Sequence, residues 1–373
     1  MTRRHLFASS ALAAATLLHA VSPATADDGS IRFEDQDGRT ITLDGPAERI
    51  ITIPMPSAAM MVAVDGGTER LAGMHPMSKA AVRGEILGEL FPEMLSVPDG
   101  VVGEGFMPNI EEVLTQDPDL VFQWAHRGAD IIEPLENAGL TVAGLSYGTE
   151  EDTRAWIRMM ATATGQPERA DTLIDWRDGA LREVGAAVED AVANADPSGD
   201  SSEAPTVLYF NRFLSDLRVA GSETYNDFYI GLAGGANPAA DAGSGWLTVD
   251  QEQVLAWDPD VILLNGFESD LSPQDVYDHP VLSNLTAAAE RRVYQMPLGG
   301  YRWDPPNQES PLTWMWLAEI LHPDLDPDWT LRSEIIDAYQ MLYGATLTQS
   351  QIDGILRVTA NSDSAGYERF HAD

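Results

Sequence analysis

The sequence predicts an α/β fold made of two similar lobes joined by one long helix. Three observations carry this. A phrase recurs: residues 111–121 read Glu-Glu-Val-Leu-Thr-Gln-Asp-Pro-Asp-Leu-Val, and residues 252–262 read Glu-Gln-Val-Leu-Ala-Trp-Asp-Pro-Asp-Val-Ile. Between them, over 167–194, Ala170, Leu173, Ile174, Leu181, Val184, Val188 and Ala191 recur at helical spacing with charges interspersed. On both sides of that stretch, short apolar runs alternate with turn signals and helical patterns, as in parallel α/β sheets. The expected organisation is an export signal over 1–26, an N-terminal lobe over 27–165, a bridging helix over 166–194 and a C-terminal lobe over 195–373.

Taken in order, Thr2-Arg3-Arg4-His5-Leu6-Phe7 is a twin-arginine pattern followed by an apolar run. Ala24-Thr25-Ala26 fits a signal-peptidase site, so export is expected. Ile31 to Asp35 and Arg39 to Leu43 alternate around Asp37-Gly38, a hairpin signal. Arg49 to Ile53 reads as a buried strand stopped by Pro54-Met55-Pro56, with Ser57 as N-cap of an apolar helix over 58–64. In each copy of the repeat, a short helix is expected to turn its Val-Leu pair (Val113-Leu114, Val254-Leu255) inward. The proline then ends the helix, and a buried strand follows. Leu140 to Leu145 closes the first lobe. The 167–194 helix would be about 40 Å long at 1.5 Å per residue, suited to a strut between lobes. Asn194 to Pro205 reads as a polar loop, and Thr206 to Phe210 as the opening strand of the second lobe. Gly231 to Gly235 marks a helix end, Arg291 to Met296 another strand, and Trp314 to about His322 a helix. From residue 327 onward, terminal helices are expected to pack on the second lobe.

Composition is that of a globular chain of 373 residues with 44% hydrophobic residues and formal charge −37. Lys79 is the sole lysine. Such acidity disfavours nucleic acid and anionic membranes as partners and fits a solvated shell suited to a saline habitat. The absence of cysteine removes disulfides, thiolate metal sites, a cysteine nucleophile and a lipid-bearing cysteine. The expected location is the periplasm, as a soluble monomer without a lipid anchor.

At this point the chain resembles a known family, the substrate-binding proteins of ABC importers for iron–siderophores, haem and cobalamin. The resemblance rests on the Asp-Gly-Arg-Thr-Ile-Thr-Leu opening, Pro46 to Ile53, Pro108 to Phe122, Gly234-Gly235-Ala236-Asn237 and Val249 to Leu264. Arg292-Val293-Tyr294 with Pro297, and Leu317-Ala318 with Leu321-His322-Pro323, extend it toward the C-terminus. It implies two Rossmann-like lobes with central parallel sheets, a ligand cleft between them and no catalysis. It also implies docking on an ABC permease and its ATPase, with Glu111 and Glu252 meeting arginines of the permease. The implied ligand is a chelated metal, foremost an iron–siderophore, with cobalamin, haem or an oxyanion such as molybdate as alternatives. No resident cofactor is expected.

Ligands of open α/β sheets bind beyond the C-terminal ends of the strands. That rule, with the resemblance, selects His75, Phe106, Trp124 and Arg127 from the first lobe. From the second it selects Tyr209, Phe210, Arg212, Trp246, Tyr301, Arg302 and Trp303. Aromatic faces suit a flat or greasy chelate, and arginine forks suit carboxylate, catecholate or oxyanion groups. No metal-ligand cluster is assigned; of His75, His126, His279, His322 and His371, most read as ordinary surface histidines, with haem coordination by His75, His126 or a tyrosine as an alternative. An exported hydrolase is the rival class, but Gly243-Ser244-Gly245 lacks the Gly-x-Ser-x-Gly elbow. A ligand sensor acting through a receptor is a third reading.

Overall fold

A computed structural model describes residues 29–195 and 204–372. The expected export signal and most of the 194–205 loop lie outside the described residues. Strands β1 (Ile31–Glu34) and β2 (Thr40–Leu43) pair antiparallel with Phe33 opposite Ile41. Asp35 organises their turn, accepting from the backbone N–H groups of Asp37 and Arg39, and ties the hairpin to the lobe by accepting from the Gly144 N–H.

The first lobe is a four-stranded, all-parallel sheet of order β4-β3-β5-β6: β3 (Ile50–Thr52), β4 (Leu71–Met74), β5 (Leu120–Trp124) and β6 (Val142–Leu145). Every residue of these strands is buried, which is why they read as continuous apolar runs rather than as alternations. Ser57 is the first helical residue rather than the N-cap: Pro56 precedes the helix, and the Ser57 hydroxyl donates to the Pro54 carbonyl.

The second lobe carries β7 (Val207–Arg212), β8 (Arg218–Ala220), β9 (Trp246–Thr248), β10 (Val261–Leu264) and β11 (Val293–Gln295) in the order β11-β10-β7-β8-β9. Its first three strands are parallel, and β8 and β9 add an antiparallel edge. Between the lobes runs one helix, Pro167–Ala195, burying Ala170, Leu173, Ile174, Val184 and Val188.

The repeated phrase is, for the most part, a structural device. In both lobes the helix (Ile110–Thr115, Gln251–Trp257) is N-capped by a side chain, Asn109 in one and Asp250 in the other. The first aspartate then takes a left-handed conformation, φ 46 at Asp117 and φ 38 at Asp258, turning the chain ahead of the proline. The second aspartate staples the neighbouring strand. Asp119 Oδ2 accepts from the N–H groups of Glu48 and Arg49 at 2.7 and 2.9 Å; Asp260 Oδ2 accepts from the Thr206 N–H and hydroxyl at 2.7 and 2.8 Å. Asp260→Ala is expected to cost about 1.5–3 kcal/mol, the range for a charge-assisted hydrogen bond, measured by urea unfolding. An unchanged midpoint would show that the staple carries no stability.

One expectation about the repeat fails. Val113 and Val254 are buried, but Leu114 and Leu255 are 47% and 38% exposed. Each helix is only two turns long and presents one narrow stripe to the sheet, so the adjacent residue, about 100° further round, faces outward.

The C-terminal helices also depart from expectation. Helix Leu331–Tyr343 buries Ile335, Tyr339 and Leu342 and reaches the first lobe as well as the second. From the strut, Arg169 donates to the carbonyls of Met341 and Leu342; further on, Arg357 pairs with Glu85 at 2.8 Å, and Gln351 donates to Glu89 at 3.0 Å. The lobes are therefore held by the strut and by this second bridge.

Candidate functional site

The loops leaving the sheets' C-terminal strand ends enclose an inter-lobe cavity of about 470 Å³, within the size range of small-molecule sites. The first lobe contributes Met55 and Pro56 after β3, Trp124, His126 and Arg127 at the end of β5, and Tyr147 after β6. The second lobe contributes Tyr209, Asn211 and Arg212 from β7, with Arg218 and Trp246 from the antiparallel edge. Asn226, Phe267, Tyr301, Asp304 and Pro305 complete the wall.

Of the residues selected from sequence, the structure brings Trp124, Arg127, Tyr209, Arg212, Trp246 and Tyr301 to this cavity. It places five elsewhere. Phe210 belongs to the second lobe's outer core with Leu208, Ile262 and Leu264, because alternate residues of β7 face opposite sides and Tyr209 takes the cleft side. Trp303 is fully buried and donates through Nε1 to Glu309 at 2.8 Å. Glu309 draws the whole loop inward, accepting also from the Gly300 N–H and the hydroxyls of Tyr339 and Tyr343. A Cβ at either Gly299 or Gly300 would overlap that carboxylate, which accounts for the glycine pair.

Arg302 is buried and committed to backbone. Its Nε donates to the Gly266 carbonyl at 2.6 Å and Nη1 to the Met77 carbonyl across the lobes at 3.5 Å. It faces a separate inter-lobe cavity of about 720 Å³ on the other side of Phe267. His75 is a helix N-cap whose Nδ1 accepts from the Met77 N–H, and burial lowers its pKa to about 4. Phe106 stands behind the cleft as a platform, 6.0 Å from Trp124 and 4.4 Å beneath the Arg127 guanidinium.

Arg127 and Arg212 set the electrostatics. Each comes from a different lobe and lies over an aromatic ring, Arg127 over Phe106 and Arg212 over Phe267 at 5.0 Å. Neither forms an ion pair among the described residues, although the chain holds 59 acidic residues against 22 basic ones. Burial lowers the pKa of Arg127, and burial followed by the Arg127 charge lowers that of His126. Arg218 is the partnered member, reaching Asp216 at 3.2 Å.

Sequence reasoning missed Tyr147, Arg218, Asn226, Phe267 and Asp304. Tyr147 and Phe267 follow β6 and β10, so the strand-end rule, applied to every parallel strand, would have found both. Asp304 Oδ2 accepts from the Tyr209 hydroxyl at 2.7 Å; burial raises the Asp304 pKa, while Tyr209 and Arg302 oppose the rise. Burial pushes the Tyr301 phenol up to about 12, keeping it a neutral donor at physiological pH. Among the described residues no group of three or more His, Cys, Asp or Glu side chains is arranged to hold a metal ion, and no helix is long and apolar enough to cross a membrane.

Glu111 and Glu252 lie on the first turns of the equivalent helices, both exposed. Neither carboxylate has a hydrogen-bond or ion-pair partner among the described residues, whereas the adjacent Glu112 accepts from Gln116 at 3.0 Å.

Comparison with known proteins agrees with this architecture. The chain is 26% identical over 330 residues to the molybdate-binding protein MolA of Haemophilus influenzae, covering 83% of this chain and 90% of that one. It is 27% identical over 218 residues to the iron(3+)-hydroxamate-binding protein FhuD of Bacillus subtilis, covering 57% and 67%. A periplasmic solute binding protein from Veillonella parvula superposes with a TM-score of 0.78 at 30% identity, covering 89% of this chain and 98% of that one. A family model described as periplasmic binding protein matches residues 99–298. With two α/β lobes, a bridging helix and a cleft at their strand ends, the chain belongs to the periplasmic binding protein family.

Proposed function

We propose that this chain is the substrate-binding component of an ABC importer and captures a metal chelate that presents anionic oxygens, foremost an iron–siderophore. The observation that carries the reading is the pair Arg127 and Arg212. They converge from opposite lobes on one aromatic-walled cavity, and neither is ion-paired among the described residues. A ligand bridging both arginines gains charge-assisted bonds from each lobe, and the surrounding rings cover its apolar parts. In this reading the first 26 residues direct export, and the work is binding and delivery rather than catalysis.

Native mass spectrometry and visible absorbance of the protein purified from its own periplasm test the cargo. A ferric-chelate band with the matching mass is expected; a corrin or haem band would overturn the siderophore assignment. Molybdate is the second reading, favoured by the likeness to MolA over most of both chains. Against it, a cavity of about 470 Å³ far exceeds a four-oxygen anion.

Delivery would run through Glu111 and Glu252. Every other polar residue shared by the two copies of the repeat has a structural task, and these two do not. The exposed Leu114 and Leu255, one turn further along the same helices, give each contact an apolar flank. Replacing both glutamates by arginine is expected to reduce uptake at least about tenfold while ligand affinity stays the same. Lost ligand binding in that variant would sink the docking role.

A further inference from the structure

Four buried polar atoms in the wall of the 470 Å³ cleft have no partner among the described residues. Two are donors, Trp124 Nε1 and the Tyr301 hydroxyl. Two are acceptors, Asp304 Oδ1 and Asn226 Oδ1. All four residues line the cavity, and none is more than 3% exposed. Guanidinium groups and buried donors are what an anion-binding site needs. The two acceptors are not.

The acceptors' orientation follows from their surroundings. Asn226 Nδ2 lies 3.1 Å from the Asp304 carbonyl, which can only accept, and 2.6 Å from the Tyr229 hydroxyl. The amide nitrogen must therefore sit there, and Oδ1 is the atom left over. Asp304 Oδ2 is occupied by the Tyr209 hydroxyl at 2.7 Å, which leaves Oδ1 bare. Both residues belong to the second lobe, and the Asn226–Asp304 bond joins them. A buried acceptor left without a donor costs more than a made bond gains, so two of them on one wall specify the chemistry of whatever fills the space.

We infer that the ligand of this cleft carries N–H or O–H groups donated to Asp304 Oδ1 and Asn226 Oδ1, as well as anionic oxygens held by Arg127 and Arg212. The inference rests on the proposed reading of the cleft as the ligand site and narrows the ligand's class. A bare oxyanion has acceptors alone. Seated here, it would meet the arginines but face the Asp304 carboxylate and leave both acceptors unsatisfied. A chelate whose scaffold bears amide, hydroxamate N–H or hydroxyl groups satisfies both walls.

Three probes added to the full chain separate these cases by calorimetry or by the fluorescence of Trp124 and Trp246. They are the kinetically inert chromium(III) tris-acetohydroxamate, with three N–H groups; its N-methyl counterpart, with none; and molybdate. The N–H complex is expected to bind at least about tenfold more tightly than either of the others. Asp304→Asn should shrink the gap between the two chromium complexes and tighten molybdate, whereas a penalty due only to methyl bulk would persist in that variant. Equal binding of both complexes by the wild-type chain, or tighter binding of molybdate, overturns the donor requirement and leaves capture by the arginines standing. Failure of the wild-type chain to bind any of the three overturns both.

Discussion

Replacing Arg127 and Arg212 together by methionine is expected to lower ligand affinity at least about a hundredfold while leaving the melting temperature within a few degrees. Each arginine offers charge-assisted bonds worth about 1.5–3 kcal/mol to an anionic oxygen, and about 1.4 kcal/mol is tenfold in affinity. The pair acts across the lobe interface, so losing both also removes the ligand's reason to hold the lobes together. Stability should change little because neither guanidinium makes an ion pair among the described residues. Methionine keeps an apolar stem over Phe106 and Phe267, where the arginines now lie. Removing Arg127, whose burial disfavours its charge, also relieves a desolvation cost. Calorimetry with a ferric hydroxamate and thermal unfolding read the two quantities separately. Affinity within about threefold of wild type would remove the arginines from the site.

Arg177→Met is the substitution expected to cost most in stability, about 3–5 kcal/mol, the range for breaking a buried ion pair. Arg177 lies in the strut with its side chain completely buried. Its Nε and Nη2 each donate to the Glu150 carboxylate at 2.6 Å, and Nη1 donates to the Asn307 carbonyl at 2.9 Å. Tyr225 donates its hydroxyl to the same carboxylate at 2.9 Å, and the guanidinium lies 5.4 Å from the Trp314 ring. Glu150 opens the last helix of the first lobe, whereas Tyr225, Asn307 and Trp314 belong to the second. One guanidinium thus joins strut and both lobes. Burial works against its charge, but Glu150 outweighs that and holds its pKa above the ordinary arginine value.

Cutting Arg177 leaves Glu150 with the weaker Arg154 contact at 3.2 Å and a carboxylate facing Tyr225. Glu150→Gln in the same chain should recover part of the loss, because the stranded charge goes with it. Urea midpoints of the single and double variants check this. A single variant within about 1 kcal/mol of wild type would show that the pair is dispensable.

The bridging helix was legible because its apolar residues repeat at a helical period over eight turns. The hairpin was legible from Asp37-Gly38, and the lobe repeat from the register of Asp-Pro-Asp. These are local signals: capping, turn chemistry and periodicity act within a few residues. The strand ends were legible too, and with them the neighbourhood of the cleft.

Which residue of each strand end faces the cleft was not. Tyr209 and Phe210 are adjacent and chemically similar, and only the pairing of β7 with β10 and β8 sends one to the cavity and the other to the core. Trp303 is turned inward by Glu309, and Arg302 is taken up by the carbonyls of Gly266 and Met77, the latter 225 residues away. Asp304 and Asn226 are separated by 78 residues and form one acceptor wall only after the second lobe folds.

By itself the sequence determined two α/β lobes, the strut between them and the matched positions of Glu111 and Glu252. Those features follow from short-range preferences that each segment carries with it. Tertiary structure alone decided the cleft's lining, its unneutralised arginines and its bare acceptors. They depend on strand register and on burial by distant residues, which leave no periodic trace in the chain.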